Sequence, residues 1–273
     1  MISRLALLSR LALLALLPIA AACTAQDTPS GDAAATTATA TADGAPAAAT
    51  SADAAADAAT PAADPSAAEA ALAAAANGPA PVEGTDYVVI ANGEPFEPLN
   101  GKVEVVEVFG YTCGHCANFQ PMVSRWSSQL PADVRFTYVP APFGGYWIPY
   151  ARAYYAAQAL GVADRTHDAM FAALHSAREL PIQGVSEEEI GRWYAGQADV
   201  DAAEFAATMK SFGVDARLKR ANDFIRRSGV DATPTLVVNG KYRVAGRTLG
   251  DTLRIASQLV QMERAAREGA AQP

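Results

Sequence analysis

A valine-rich run that ends in a closely spaced pair of thiols constrains this chain more than any other feature. Val103–Phe109 reads VEVVEVF, a β pattern rich in branched residues. Beyond Gly110-Tyr111-Thr112 comes Cys113-Gly114-His115-Cys116. Phe119, Met122, Val123 and Trp126 then recur at helical spacing, up to a stop near Leu130-Pro131. Val134–Val139 (VRFTYV) reads as a further strand. The order strand, dithiol, helix, strand has a chemical consequence. A helix N-terminus presents unpaired N–H groups and the positive end of the dipole, and both favour a thiolate at Cys113. His115 lies between the cysteines and can add a hydrogen bond or a charge. A lowered pKa makes Cys113 a nucleophile near neutral pH and a good leaving group. Cys116, one turn into the helix, is expected to be the more buried, resolving thiol.

The remaining pattern brackets this unit. Tyr87–Ile90 reads as a short first strand. Helices are expected over Tyr150–Leu160, Ala163–Ala177, a segment through Trp193 opened by the Ser186/Glu189 capping box, Asp201–Ser211 and Val214–Ser228. Gly229-Val230 ends that series. Thr235–Val238 and Lys241–Val244 then flank Asn239-Gly240, a tight hairpin turn. A last helix is expected from Gly250 to Ala266. Thr233-Pro234 opens the first strand of the hairpin, where proline removes a ladder donor and an X–Pro bond is a natural site for the cis form.

The first eighty residues are of another kind. Arg4 and Arg10, then an apolar stretch from Leu11 to Ile19, then Ala20, Ala21 and Ala22 make the three parts of a secretory signal, assigned to residues 1–22. The apolar stretch is too short for an ordinary membrane span. The small residues end at Cys23, so the site resembles a bacterial lipobox, which implies acylation of Cys23 and cleavage before it. Ala20 stands where lipoboxes favour leucine. Residues 23–80 are mostly Ala, Thr, Pro, Ser and Asp, with Leu72 the one large apolar side chain. Such a segment cannot bury enough surface to offset its ordering entropy, so a disordered linker is expected, with at most a transient helix over Ser66–Ala76. The 51% hydrophobic content owes much to this alanine. A net charge of −8 argues against nucleic acid as a partner.

The same residues admit other uses. Zinc needs four ligands at paired spacing, and His167 and His175 lie on a separate helix, so no metal is expected. Glu104 and Glu107 have opposite parity on their strand, and one of them could mark an exposed face. Phe143 to Trp147 reads as a packed loop. Arg217, Lys219, Arg220, Arg226 and Arg227 read as a solvated helix face.

Taken together, GTDYVVI near the start, VEVFGYTCGHC in the middle and ATPTLVVNGKY near the end resemble the DsbA-type thiol–disulfide oxidoreductases of the thioredoxin superfamily. The resemblance spans about Gly84 to Met262. It implies an α/β thioredoxin fold with an inserted α-helical domain: residues 81–140 and 230–273 form the thioredoxin domain, and 141–229 the insertion. It implies that Cys113 forms mixed disulfides with substrates and Cys116 resolves them. Pro234 becomes the cis-proline beside the pair, and Thr233 offers its backbone to an incoming substrate strand. Glu107, six residues before Cys113, matches the buried acid that shuttles protons to or from Cys116. Two departures bear on redox poise: Gly114-His115 replaces the Pro-His of many bacterial oxidants, and Thr233 replaces their Val.

The function expected is donation of the Cys113–Cys116 disulfide to unfolded or newly exported cysteine-containing proteins, with no cofactor. A quinone-linked membrane oxidase would reoxidise the dithiol. The place is the periplasm, with the membrane reached through the lipid on Cys23. Thr24 points to the outer membrane by the sorting rule, and an inner-membrane reoxidant points the other way. The alternatives are a periplasmic reductase or isomerase, and a thioredoxin-fold binding module or chaperone. The polar, alanine-rich segment 24–80 cannot serve as a dimerisation domain, which weighs against a dimeric isomerase.

Overall fold

The computed structural model describes residues 65–271. The signal expected over 1–22, Cys23 and the greater part of the linker lie outside them. The elements are α1 (Pro65–Ala75), β1 (Tyr87–Val89), β2 (Val103–Phe109), α2 (Gly114–Ser127), β3 (Val134–Pro140), α3 (Trp147–Ala159), α4 (Ala163–His175), α5 (Glu187–Gln197), α6 (Ala202–Met209), α7 (Phe212–Arg227), β4 (Thr235–Val238), β5 (Tyr242–Val244) and α8 (Leu249–Ala271).

The strands form one sheet in the order β1-β5-β4-β2-β3. β2 and β3 are parallel, and the other pairings are antiparallel. β2 is flanked on both edges, and all seven of its residues are buried. A strand covered on both faces needs no polar alternation, which explains the near-continuous valine run. Val103 and Val105 join a core with Phe119, Val123 and Trp126 of α2 and Leu259 of α8. Val106 and Val108 join the opposite core, with residues of α3, α4 and α7. The helices between β3 and β4 therefore cover one sheet face, while α2 and α8 cover the other. This is a thioredoxin-type α/β core with added helices.

Local signals act where the sequence places them. Ser186 and Glu189 close a reciprocal capping box at the start of α5. Asn239 (φ 52°) and Gly240 (φ 66°) turn β4 into β5. Positive φ at both positions suits a type I′ turn. Glycine is also required at 240 by space, because a Cβ there would lie 2.0 Å from the carbonyl oxygen of Glu94.

One expectation is corrected. The linker was expected to run to residue 80, with at most a transient helix, yet α1 is an ordered helix packed onto the fold. Leu72 is 2% exposed and belongs to the core under α2 and α8. Glu69 accepts from Arg264 at 2.6 and 2.7 Å. Gln258 donates to the carbonyls of Ala76 and Pro79, each at 2.9 Å. An isolated eleven-residue helix is marginal in water. Docking of Leu72 and Ala68 supplies the tertiary burial that alanine content alone does not.

Candidate active site

The site begins where β2 ends. Gly110 leaves room for Trp147, since a Cβ there would fall 2.0 Å from the indole ring. Tyr111 and Thr112 are buried beneath the turn. Cys113 is the N-cap of α2, and its sulfur accepts from the Cys116 amide at 3.4 Å. From the other side the loop before β4 arrives. The Thr233–Pro234 bond is cis, and the Cys113 thiol donates to the Thr233 carbonyl at 3.5 Å. Residues far apart in sequence thus meet at one sulfur.

The two sulfurs have opposite environments. Cys113 is half-buried, and its pKa falls to about 5. The hydrogen bond from the Cys116 thiol is the main cause; burial opposes it, and the Thr233 side chain and the amides of Cys116 and His115 add to it. Cys116 is fully buried, and its pKa stands far above the ordinary thiol range, first through burial and then through its bond to Cys113. One sulfur is a thiolate at neutral pH and the other a thiol. Both are free in this structure.

Glu107 is 0% exposed, and neither carboxylate oxygen has a hydrogen-bond partner. Burial, and then the negative charge at Cys113, push its pKa well up. Were Glu107 to ionise, its charge would raise Cys116 further. The acid is therefore neutral at rest, within electrostatic reach of both sulfurs. Glu104, the other acid of β2, is equally buried but fully partnered. It accepts from the amides of Phe96 at 2.7 Å and Glu97 at 3.1 Å, and from Arg135 at 2.8 Å. Neither acid marks an exposed face. The His115 side chain is exposed on the rim, in an open groove beside Asn118 and His175. Of the expected packed loop, Trp147 packs on Gly110, while Phe143 and Tyr146 are 42% and 41% exposed.

Sequence reasoning missed a supporting layer. His175 Nε2 bonds the Tyr111 carbonyl at 2.7 Å, and the Tyr111 hydroxyl bonds His167 Nδ1 at 2.8 Å. Burial takes His167 down to about 3, so it is neutral. The two histidines buttress the dithiol turn from α4. Among the described residues no group of His, Cys, Asp and Glu could hold a metal ion. Gln120 donates to the Tyr138 hydroxyl at 3.0 Å and to Asp168 at 2.8 Å. Its place one turn after Cys116, on the buried side of α2, was the available signal.

A protein-family model described as Thioredoxin matches residues 98–253. The Thiol:disulfide interchange protein DsbA of Pseudomonas aeruginosa is 37% identical over 186 residues, which is 67% of this chain and 86% of the relative. That of Pseudomonas syringae pv. tomato is 33% identical over 200 residues, covering 72% and 91%. Among solved structures, the oxidoreductase DsbA from Xylella fastidiosa superposes with a TM-score of 0.67 at 50% identity, covering 68% of this chain and 98% of that one. Pseudomonas aeruginosa DsbA superposes at 0.63 with 35% identity, covering 68% and 96%.

Proposed function

We propose a division of labour on one premise: this chain belongs to the DsbA family of thiol–disulfide oxidoreductases and acts through its cysteine pair. In the oxidised protein a substrate thiolate attacks the Cys113 sulfur. The Cys113–Cys116 bond breaks, a mixed disulfide forms on Cys113, and Cys116 leaves with the electron pair. Glu107, neutral and buried, gives that sulfur its proton. A second substrate thiolate then attacks the substrate sulfur of the mixed disulfide, and Cys113 departs as a stable thiolate. Substrate is oxidised by two electrons, and the cysteine pair is reduced by two. Reoxidation runs the same steps backwards against a membrane-bound, quinone-linked partner, with Glu107 accepting the Cys116 proton. Thr233 lends its backbone to the substrate strand beside Pro234, and the His115 amide donates toward the Cys113 sulfur.

The observation that carries this reading is the asymmetry of the pair: Cys113 titrates at about 5 while Cys116 stays protonated. A stabilised thiolate makes the reduced form favourable and the disulfide a strong oxidant. Equilibration against glutathione buffers tests it. A potential well above the roughly −270 mV typical of thioredoxin is expected, and a value near that figure would make the protein a reductase.

The substrates are cysteine-containing proteins exported to the periplasm, reached through the signal over 1–22. The lipobox likeness supports acylation of Cys23 and attachment to a membrane through the segment that follows. Among the described residues no helix is long and apolar enough to cross a membrane. Cys23→Ser should abolish partitioning into a detergent phase, and unchanged partitioning would remove the anchor.

A further inference from the structure

Tyr111, just ahead of the reactive sulfur, is gripped at both ends by one helix. Its hydroxyl meets His167 Nδ1 at 2.8 Å, and its carbonyl oxygen meets His175 Nε2 at 2.7 Å. The two histidines lie roughly 12 Å apart along the axis of α4. The two bonds hold different things. Rotatable side-chain torsions separate the Tyr111 ring from its backbone, so the bond at the hydroxyl leaves the peptide free to tilt. The carbonyl belongs to the planar Tyr111–Thr112 peptide, so the bond there fixes that plane.

Little else holds that plane. Among the described residues the Tyr111 carbonyl has no backbone partner, and the buried Thr112 hydroxyl has no hydrogen-bond partner. The turn closes through a backbone bond from the Cys113 amide to the Gly110 carbonyl at 3.0 Å. A carbonyl only accepts, so Nε2 of His175 carries the proton. His175 is half-buried at the end of α4, and its ring lines the open groove beside Gly114, His115 and Asn118. The sulfur that follows depends on where the turn sits. It accepts from the Cys116 amide at 3.4 Å and lies 3.5 Å from the Thr233 carbonyl. Hydrogen bonds weaken as length and angle drift, so a tilt of the turn is felt at the sulfur.

We infer that His175 is a positioning residue for disulfide exchange: its Nε2–H, anchored on the Tyr111 carbonyl, fixes the turn that seats the Cys113 sulfur against the first amides of α2. The role rests on Cys113 as the reactive thiol. His175 acts through the backbone and not on the sulfur itself. It acts by hydrogen bonding and not by charge, so a neutral side chain that donates from the same place can replace it.

The test compares two variants of the full chain. His175→Leu keeps an apolar body beside Phe171 and removes the donor. His175→Gln keeps a donor, its side-chain amide, without a charge. Thiolate absorbance of the reduced protein is titrated against pH, and the cysteine pair is equilibrated with glutathione. In His175→Leu the thiolate midpoint should rise from about 5 by roughly one pH unit, the loss of one good hydrogen bond. The glutathione equilibrium should shift about tenfold toward the disulfide, because the reduced form loses its stabilised thiolate. His175→Gln should match the wild type in both measurements. Thermal unfolding checks that each variant folds, and His175→Ala takes the place of a leucine variant that does not. An unmoved midpoint without the donor would overturn the positioning role. A His175→Gln midpoint displaced as far as that of His175→Leu would overturn the hydrogen bond as its agent. A wild-type midpoint near the ordinary thiol value of about 8.5 would instead bring down the reading of Cys113, and this role with it.

Discussion

The two ends of β2 carry the same residue type with opposite accounts. Near its start Glu104 is buried with an arginine and two amide donors around it. Three residues on, facing the opposite side of the sheet, Glu107 is buried with none. A fully partnered buried charge locks one geometry, and removing it strands its partners. An unpartnered buried acid avoids its charge by holding a proton, and that makes it useful to a neighbouring sulfur. One end of the strand is built for stability and the other for chemistry, so burial alone does not reveal a carboxylate's role.

The contrast can be broken at either end. The largest effect belongs to the chemical end itself. Cys113→Ala should abolish disulfide transfer to a reduced peptide while the fold melts as a cooperative unit, and residual transfer would place the nucleophile elsewhere. Next, Glu104→Ala should cost about 3–5 kcal/mol in denaturant unfolding, because Arg135 and two amides lose their acceptor. Its transfer rate per folded molecule should stay unchanged, and a lost rate with unchanged stability would invert the comparison. Glu107→Gln should do the reverse: unfolding free energy unchanged or higher, with reoxidation slowed by about 10²-fold, the low end for a positioned proton carrier.

How much of this contrast was legible depends on the range of the interactions involved. The dithiol on its strand and helix, the capping box and the Asn239-Gly240 turn are local patterns, and local spacing specifies them. Glu107 was reached through its offset from Cys113. Glu104 was not, because parity reasoning supposed a strand with one wet face, whereas β2 is central. Its partner Arg135 sits in direct register on β3, a pairing visible only once the strands are known to be neighbours. α1 was read as linker because a single leucine cannot make a core, and its seat is formed by Trp126, Leu130 and Arg264 much further along the chain.

A smaller effect sharpens the chemical end. Thiolate absorbance of the reduced protein should show a midpoint near pH 5. Between that value and the ordinary thiol pKa of about 8.5, the unfolded chain binds the Cys113 proton and the native chain does not. Stability of the reduced form should therefore rise with pH across this window. The contribution is complete above it and lost as pH falls through about 5. A flat profile would mean that the thiolate is not held by the fold.

The seat of α1 sets two ends of α2 apart. α1 settles beside Trp126, Gln129 and Leu130, where α2 ends, whereas Cys113 stands where α2 begins. Fourteen helical residues separate the two, about 21 Å. Leu72 of α1 therefore packs at the end of α2 opposite the reactive sulfur. The reactive sulfur and the seat of Leu72 thus share one rigid rod, with the chemistry at one tip and the packing of α1 at the other.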